Sequence, residues 1–325
     1  MTGSDRIQTS MVRAFDVRTF RGILLRWYEN HRRDLPWRGT RDAYRIWVSE
    51  VMLQQTRVSV VLERYQHFLG RFPTIRKLAR ARLSAVLAAW SGLGYYRRAR
   101  ALHRAAGMIV SEQRGRLPRS AEQLRTLPGI GRYTAAAIAS IAFEEPIALV
   151  DGNVERVLAR LSGGPQADPW RRADELLDCN RPGDFNQAMM ELGATVCLPH
   201  RPLCGQCPVR EFCVVRGKLA PAAKSVRRKR QVSYALLRTG DRILLVQRRA
   251  EASLMPEMWE LPQLHRLPKQ EPLLKLRHAI TNTDYEVWVF ATSACMKRKR
   301  ARWVQLRDVE RLPLTGLTRK ILRQL

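Results

Sequence analysis

The sequence is short of acidic residues and has no long apolar segment. Its 325 residues include 29 Asp and Glu against 58 Lys and Arg, a formal net charge of +29. No apolar run reaches the roughly 18 residues that a membrane helix needs, and the N-terminus lacks the apolar core of a signal peptide. We therefore expect a cytoplasmic protein with no membrane partner, nucleoid-associated if bacterial. The charge favours nucleic acid as partner, although an arginine-rich proteome would give the same excess.

Strand patterns and lysine are both scarce before residue 230. Apolar residues recur at helical spacing from residue 16 onward, which predicts an all-α region over residues 1–217. The region contains a single lysine, Lys77, which we expect in a surface turn between helices.

A basic segment separates this helical region from a different pattern. Residues 218–230 are rich in Lys and Arg without any acid, which predicts a solvated linker. Strand patterns follow at 232–238, 243–247 and 285–292, and helical patterns return at 306–311 and 316–324. Residues 231–325 are thus predicted to form a small α+β or α/β domain, in keeping with two or three domains for this length.

Residues 124–144 place a proline and two glycines before a helical pattern. Pro128 ends one helix, and Gly129 and Gly131 permit backbone angles that other residues avoid. The free amides and positive dipole end of the next helix suit a phosphate. An ordinary helix–turn–helix corner has the same residues, so both interpretations stay open.

Two carboxylates lie in contrasting surroundings. Glu50 falls in an apolar helical segment, on one face with Gln54 and Arg57. Glu50 is either part of a solvent-facing stripe or a residue of a DNA-binding cleft. In a cleft its apolar neighbours would raise its pKa and make it a proton donor. Asp151 is expected to cap the N-terminus of the helix that follows it in the sequence, and the dipole of that helix favours a charged carboxylate. One protonated and one ionised carboxylate suit acid–base work on a glycosidic bond.

Four of the six cysteines fall within the 17 positions from 197 to 213. These are Cys197, Cys204, Cys207 and Cys213. In a reducing compartment this spacing indicates metal binding rather than disulfides. Zinc and an iron–sulfur cluster both accept four cysteines, and the spacing does not separate them. The other two, Cys179 and Cys295, are expected to be small core residues.

The segment from Gly92 to Ala99 joins a flexible turn to tyrosines and arginines. Such residues stack on bases or wedge between them. The tyrosines would equally suit packing on the protein core, and the pattern alone does not decide.

These segments together resemble the helix–hairpin–helix DNA glycosylase superfamily, and more closely its MutY-type adenine DNA glycosylases. The match runs in order over roughly residues 15 to 215. It rests on Leu35-Pro36-Trp37-Arg38, Ser49 to Thr56, Gly92 to Tyr96, Leu127 to Thr134, Val150 to Val154 and the four cysteines. A looser resemblance to a Nudix-like domain continues through Leu254 to Pro262. The implied fold is multidomain, an all-α glycosylase core with an iron–sulfur cluster loop plus a small α/β Nudix-like C-terminal domain.

The resemblance implies hydrolytic removal of adenine mispaired with 8-oxoguanine or guanine in double-stranded DNA, after the base is flipped out of the duplex. Glu50 would protonate the base, and Asp151 would stabilise the positive sugar. Tyr133 and Asn153 would position these groups.

Further roles follow from the same resemblance. The adenine pocket would be lined by Trp37, Arg38 and Glu191. The duplex near the lesion would be probed by Gln54, Gln55 and Tyr95. The DNA backbone would meet the hairpin at Leu127, Gly129 and Gly131. A 4Fe-4S iron–sulfur cluster would be held by Cys197, Cys204, Cys207 and Cys213. We expect the protein to act as a monomer.

Three differences from related proteins matter, and the last of them is a departure from the family's own pattern. Relatives that also cut the strand carry a lysine where this chain has Tyr133, so a Schiff base is not expected and the enzyme should be monofunctional. The Nudix hydrolase box is missing, so the C-terminal domain should bind rather than hydrolyse. The family's Phe-Ser-His lesion loop is replaced by Ile280-Thr281-Asn282, whose Thr281 and Asn282 retain polar groups for the lesion.

Two rivals remain. One is a bifunctional glycosylase and lyase for oxidised pyrimidines, which Tyr133 and the lysine shortage oppose. The other is a non-catalytic DNA-damage binding protein, which the presence of both Glu50 and Asp151 opposes.

Overall fold

The computed structural model describes residues 15–217, 227–252, 254–280, 282–292 and 300–325. Up to residue 217 the described chain is helical and contains no strand, which confirms the predicted helical core. Its helices are α1 (Val17–His31), α2 (Ala43–Leu53), α3 (Val58–Arg71), α4 (Ile75–Arg80), α5 (Leu83–Ala89), α6 (Arg97–Glu112), α7 (Ala121–Leu124), α8 (Arg132–Phe143), α9 (Gly152–Leu161), α10 (Pro169–Leu176) and α11 (Pro182–Thr195). Two short 3-10 turns, Cys204–Gln206 and Arg210–Phe212, shape the cysteine loop.

The C-terminal region combines sheets with two short helices. Its elements are β1 (Arg228–Leu236), β2 (Arg238–Thr239), β3 (Arg242–Gln247), β4 (Trp259–Glu260), β5 (Gln263–Leu264), β6 (Leu274–Ile280), β7 (Thr283–Ala291), β8 (Ala301–Gln305), α12 (Leu306–Val309) and α13 (Gly316–Leu322). Among the described strands, one sheet has the order β5-β1-β7-β6, and the other has the order β2-β3-β4 with β8 paired to β3. Strands β1 and β7 run parallel, from Arg228 opposite Thr283 to Leu236 opposite Ala291.

The chain divides by its contacts into two compact units. Unit 1 comprises the described parts of Met1–Glu50 and Leu117–Pro221, and unit 2 those of Val51–Arg116 and Ala222–Leu325. This division passes through the helical region, whereas the boundaries predicted from composition, 1–217, 218–230 and 231–325, do not. Those boundaries stay a prediction, and each unit is described separately below.

Unit 1 is built around an apolar core contributed by α1, α8, α9 and α11, with Phe20, Leu158 and Leu192 among its buried members. Helices α9 and α11 approach closely at Gly193. A Cβ at this glycine would lie 2.7 Å from the Cβ of Asn153. The missing side chain therefore lets α11 pack against the first turn of α9, where two of the predicted catalytic residues lie.

Unit 2 has its main C-terminal core between strands and α13. Buried residues such as Ile243, Leu245, Val287 and Ile321 fill it. In the helical part of this unit, α4 and α5 both pack against α6. No helix within the described ranges is long and apolar enough to span a membrane.

The structure corrects three expectations from the sequence. Helix α2 ends at Leu53, so Gln54 and Arg57 do not share a helical face with Glu50. Lys77 lies within α4 rather than in a turn. Cys179 is exposed because it follows the end of α10, so it is not a core residue.

The predicted linker is also shorter than expected. Its last three residues, 228–230, belong to β1, because they pair with the beginning of β7. Residues 218–226 of the linker lie outside the described residues, as do Cys295 and Thr281.

Candidate active site

Glu50 lies near the end of α2 and is only 5% exposed. Its Oε2 accepts a hydrogen bond of 2.6 Å from the Tyr133 hydroxyl. Burial raises the pKa of Glu50 to about 7, and the nearby charge of Asp151 acts in the same direction, against the Tyr133 hydrogen bond and Arg38. A carboxyl group with this pKa carries its proton for a large fraction of the time at neutral pH, which is what a general acid needs.

Tyr133 is the second residue of α8, and the hairpin turn before that helix places it beside Glu50. Its hydroxyl also contacts the Met190 sulfur at 3.3 Å. Burial, together with the charges of Glu50 and Asp151, holds the Tyr133 pKa well above its usual range. Tyr133 therefore stays a hydrogen-bond donor and holds the orientation of the Glu50 carboxyl group.

Asp151 caps the N-terminus of α9, as the sequence predicted. Its Oδ1 accepts from the backbone N–H groups of Asn153 at 2.9 Å and Val154 at 2.7 Å. Its Oδ2 accepts from the Asn153 side-chain amide at 2.9 Å. Three donors and the positive end of a helix thus surround this carboxylate, an arrangement complementary to negative charge.

Glu191 in α11 is fully buried, and its carboxylate forms ion pairs with two arginines. Arg33 donates from Nε to Oε1 and from Nη2 to Oε2, each at 2.8 Å, and its backbone N–H adds a bond of 3.0 Å. Arg38 donates to Oε2 at 2.5 Å. Burial by itself would raise the Glu191 pKa, but the hydrogen bonds from Arg33 and Arg38 outweigh it and lower the pKa to about 2.

Unit 1 therefore brings six predicted residues together in three hydrogen-bonded pairs, which are Glu50 with Tyr133, Asp151 with Asn153, and Glu191 with Arg38. Trp37, also predicted, is 6% exposed and follows α1 in the same unit. Arg33 was missed by the sequence reasoning. Its only signal was its place among the arginines before Leu35-Pro36-Trp37, which does not distinguish it from Arg32.

Arg156, also missed, links the first turn of α9 to the cysteine loop. Its Nη2 donates to the Asn153 side-chain oxygen at 2.9 Å and to the Gly193 carbonyl at 2.7 Å. Its Nε donates to the Cys197 carbonyl at 2.8 Å. The side chain that bonds Asp151 is thus tied to the first cysteine of the loop.

The four predicted metal-binding cysteines line one small cavity together with three arginines, Arg160, Arg210 and Arg216. Arg160 is 3% exposed and donates to the Cys197 sulfur at 3.1 Å. Yet among the described residues no three such side chains converge closely enough to coordinate one metal ion.

The hairpin of unit 1 leads into the N-terminus of α8. Gly129 has a φ of +79°, which favours glycine. Gly131 occupies the N-cap position of α8 and offers no side-chain cap to the helix start. Leu127, the residue before Pro128, is buried. Both glycines are exposed, as a contact with a phosphate requires.

The residues predicted to probe DNA lie in unit 2. Gln54 and Gln55 form a turn after α2, and Gln55 is exposed with a φ of +54°. Tyr95 is 43% exposed, whereas Tyr96 is buried and donates to the Leu314 carbonyl at 3.0 Å. Tyr96 therefore packs in the core, whereas base stacking by the exposed Tyr95 stays a prediction.

The predicted lesion loop joins β6 to β7 in unit 2. Ile280 ends β6, and Asn282 lies in the turn, where its carbonyl accepts from the Arg228 N–H at 3.0 Å. Ile280 also borders a cavity of about 400 Å³ that is lined by Tyr234 and Arg248 among others. Thr281, the remaining loop residue of the prediction, lies outside the described residues.

The helical fold and this site define a class of proteins. Residues 48–178 match the HhH-GPD superfamily of base excision DNA repair proteins. A thermostable thymine-DNA glycosylase superposes with a TM-score of 0.58 at 30% identity, covering 62% of this chain and 96% of that one. An endonuclease III in a non-covalent complex with DNA gives 0.54 at 22% identity, over 62% of this chain and 97% of that one, which supports the fold alone.

The chain belongs to the adenine DNA glycosylase family. It is 44% identical over 212 residues to the adenine DNA glycosylase of Mycolicibacterium smegmatis, a match that spans 63% of this chain and 72% of the relative. It is 51% identical over 222 residues to the human one, which spans 63% of this chain but only 40% of the relative. The chain thus matches less than half the length of the human protein.

Proposed function

We propose that the protein is a monofunctional adenine DNA glycosylase that hydrolytically excises adenine mispaired with 8-oxoguanine or guanine in duplex DNA. The observation that carries this proposal is the contrast between two neighbouring carboxyl groups. Glu50 is buried and has a pKa of about 7, whereas Asp151 receives three N–H donors at a helix N-terminus. Such a pair separates the roles of acid and charge stabiliser.

The proposed reaction breaks the bond between adenine and its sugar. Glu50 gives its proton to N7 of the flipped base, and the bonding electron pair leaves with the adenine. The Asp151 carboxylate stabilises the positive charge that develops on the sugar. A water oxygen then bonds to the sugar carbon, and the proton that it loses passes to the Glu50 carboxylate, which restores the acid. Tyr133 holds the Glu50 carboxyl group, and Asn153 holds Asp151.

Adenine selection is assigned to Glu191, Trp37 and Arg38. The pKa of Glu191, about 2, keeps its carboxylate ionised at neutral pH, so it only accepts hydrogen bonds. The exocyclic amino group of adenine offers such a donor. Arg33 and Arg38 fix the carboxylate in place, and Trp37 supplies an apolar surface for the ring.

The direct test uses duplexes that differ only in the base opposite adenine. We expect excision of adenine opposite 8-oxoguanine and guanine, and little excision from an adenine–thymine pair. Duplexes with an oxidised pyrimidine serve as the control for the rival glycosylase and lyase. Efficient removal of the pyrimidine without removal of adenine would refute the proposal, as would binding without any excision.

Strand cleavage by a Schiff base is not part of the proposed activity. Tyr133 occupies the position where strand-cleaving relatives carry a lysine, and Lys77, the lone lysine before residue 218, lies in α4 of unit 2. Borohydride should therefore trap little protein on DNA. Efficient trapping that survives Lys77→Ala would mean that another amine of the chain is a nucleophile.

The cofactor proposed for the cysteine loop is a 4Fe-4S cluster. Cys197, Cys204, Cys207 and Cys213 line one cavity, so their thiolates are available to a single metal centre. Zinc and a 4Fe-4S cluster both accept four cysteines, and the family resemblance favours the cluster. The buried Arg160 beside Cys197 complements the negative charge of cluster and thiolates. When bound, the cluster supplies cross-links that hold the loop.

Metal analysis separates the two cofactors. The purified protein should be yellow-brown and contain about four irons per chain. Stoichiometric zinc without iron would refute the cluster.

Lesion recognition is assigned to the Nudix-like C-terminal domain, and DNA-backbone contact to the hairpin at Leu127, Gly129 and Gly131. We expect a monomer on double-stranded DNA. Changing Thr281 and Asn282 together to alanine should reduce the preference for 8-oxoguanine over guanine opposite adenine by roughly 1–3 kcal/mol, the size of a lost base contact. Excision from the guanine mismatch should change much less. A double variant with full preference would exclude this loop and leave discrimination to Gln54, Gln55 and Tyr95.

A further inference from the structure

One guanidinium group in unit 2 joins the two segments that were assigned to probing the duplex. Arg98 lies in the first turn of α6, and its side chain is half-buried. Its Nη1 donates to the carbonyls of Val51 at 2.8 Å, Met52 at 2.9 Å and Gln54 at 2.5 Å. These carbonyls lie at the end of α2 and in the turn that follows it.

The other nitrogen of the same fork reaches the second segment. Arg98 Nη2 donates to the carbonyls of Leu93 at 3.0 Å and Gly94 at 3.3 Å, and to the Thr56 hydroxyl at 3.0 Å. The guanidinium carbon also lies 5.4 Å from the centre of the Tyr95 ring, within the range of a cation–π contact. A single side chain thus bonds both sides of the predicted DNA-probing region.

Both segments need such support because their backbones are strained. Gln55 and Tyr95 are non-glycine residues with φ values of +54° and +45°. Non-glycine residues in this backbone region persist only where the surroundings fix them. The Gly92–Tyr95 turn and the Gln54–Thr56 turn lie outside helices. Arg98 donates to carbonyls of both turns, alongside the Thr56 hydroxyl, which lies 3.3 Å from the Gln54 and Leu93 carbonyls, and the Trp90 indole N–H, which lies 3.2 Å from the Gly94 carbonyl.

Lysine does not replace arginine in this position. An ammonium group is a compact point charge with three donors, whereas the planar guanidinium offers five donors in a fixed fork. Here the four N–H groups on Nη1 and Nη2 are shared among six acceptors on two chain segments, while the Nε–H has no hydrogen-bond partner among the described residues. Burial lowers the Arg98 pKa only to about 10, so the group stays charged at neutral pH.

We propose that Arg98 is a positioning residue that holds Gln54, Gln55 and Tyr95 as one pre-formed surface for mismatch recognition, without itself contacting DNA. The proposal rests on the function proposed above, since it takes that surface to be the one that meets the duplex. It predicts that the loss of Arg98 reduces recognition of the mismatch while the acid–base chemistry of unit 1 is retained.

The test compares Arg98→Lys with Arg104→Lys, a matched change at an exposed position of the same helix. Affinity is measured for a duplex with adenine opposite 8-oxoguanine and for a fully paired duplex of the same sequence. We expect Arg98→Lys to lower the ratio of the two affinities at least about tenfold, the size of losing one base–aromatic contact. The single-turnover rate at saturating DNA should change much less, and Arg104→Lys should behave as the wild type.

Tyr95→Ala distinguishes positioning from general loss of stability. If Arg98 acts through Tyr95, Arg98→Lys should lower discrimination less than about twofold in the Tyr95→Ala background, since coupled residues are not additive. Independent, multiplicative losses would overturn the proposal, and so would unchanged discrimination by Arg98→Lys where Tyr95→Ala is impaired. If Tyr95→Ala itself discriminates normally, both this inference and the assignment of Tyr95 as a probe are wrong.

Thr56→Val covers the case in which Arg98→Lys does not fold. Valine has the shape of threonine but lacks the hydroxyl that accepts from Arg98 and lies 3.3 Å from the Gln54 and Leu93 carbonyls. We expect about a threefold loss of discrimination, since a net hydrogen bond contributes about 1 kcal/mol or less, and no further loss in the Tyr95→Ala background. Thr56→Ser, which retains the hydroxyl, should restore discrimination. Loss in Thr56→Ser equal to that in Thr56→Val would contradict the proposal.

Discussion

The candidate active site of unit 1 and the probing region of unit 2 are built from different groups. In unit 1, three carboxyl groups have three separate sets of partners. Glu50 has a tyrosine hydroxyl, Asp151 has the N–H groups of a helix start, and Glu191 has two guanidinium groups. In unit 2, the hydrogen-bond partners of Arg98 are backbone carbonyls and one hydroxyl, with no carboxylate among them.

This difference in hydrogen-bond partners distinguishes the proposed catalytic residues of unit 1 from the proposed recognition residues of unit 2. Surroundings in unit 1 move the pKa values of two glutamates in opposite directions, to about 7 for Glu50 and about 2 for Glu191. A reaction that uses them must depend on pH. In unit 2 the Arg98 guanidinium keeps its charge across the physiological pH range. The conformation of the two turns that it holds should therefore not depend on pH. Substitutions in the two regions should therefore differ in size and in pH dependence.

The largest effect is expected for Glu50→Gln. Glutamine keeps the shape of glutamate but has no proton to give, so excision should fall at least about 100-fold while mismatched DNA is still bound. Single-turnover excision measures this change. Glu257→Gln, at a partly exposed carboxylate of unit 2 paired with Arg100, is the control and should retain the wild-type rate. Near-normal excision by Glu50→Gln would remove Glu50 from the mechanism.

Asp151→Asn separates the charge of Asp151 from its capping role. Asparagine caps helices about as well as aspartate, so the free energy of unfolding should change by only a few tenths of a kcal/mol. Loss of the negative charge should nevertheless slow excision about 100-fold, as removal of one stabilising group does in other active sites. Single-turnover rates and thermal unfolding of the same sample test both parts. Slow excision accompanied by a large loss of stability would point to the cap instead.

Glu191→Gln should alter how stability depends on pH. The folded-state pKa of about 2 lies below the ordinary value of 4.5, so the ionised carboxylate stabilises the protein above pH 4.5 and this contribution is lost as the pH falls towards 2. The shift corresponds to about 3 kcal/mol. Denaturant unfolding at pH 7 and pH 3 should show a smaller difference for Glu191→Gln than for the wild type. Equal differences would mean that the two arginines do not stabilise the charge.

The smallest effect is expected at the ion pair of Arg100 and Glu257 in unit 2. Arg100 donates to Glu257 at 2.9 Å and to the Pro256 carbonyl at 2.7 Å, and the glutamate is 46% exposed. Glu257→Gln should cost less than about 1 kcal/mol in the free energy of unfolding, as exposed pairs do, and the cost should shrink in high salt. A loss of several kcal/mol would show that unit 2 also depends on buried charge.

Local features were predictable from the sequence. The capping by Asp151 involves N–H groups two and three residues later, so spacing and residue type were enough. The helical character of the core follows from periodicity in the same way. For Glu50 the sequence left burial and solvent exposure open, and it is burial in the folded unit that raises its pKa.

Features set by distant residues were not predictable. Helix α2 ends at Leu53, although the residues that follow would suit a helix. It ends there because Arg98 donates hydrogen bonds to the Val51 and Met52 carbonyls. Arg33 meets Glu191 across 158 positions. Strands β6 and β8 were not predicted, although Leu274 and Leu276 alternate with basic residues in β6, and their pairing with β7 and β3 defines their extent.

The central claim, that Glu50 is the acid of adenine excision, is tested most directly by the pH dependence of the single-turnover rate. The substrate is a duplex with adenine opposite 8-oxoguanine at saturating protein, between about pH 6 and pH 9. Since only protonated Glu50 can give a proton, the rate should fall above pH 7, approaching tenfold per pH unit, while DNA affinity stays constant. A rate that is independent of pH across this range would contradict the claim.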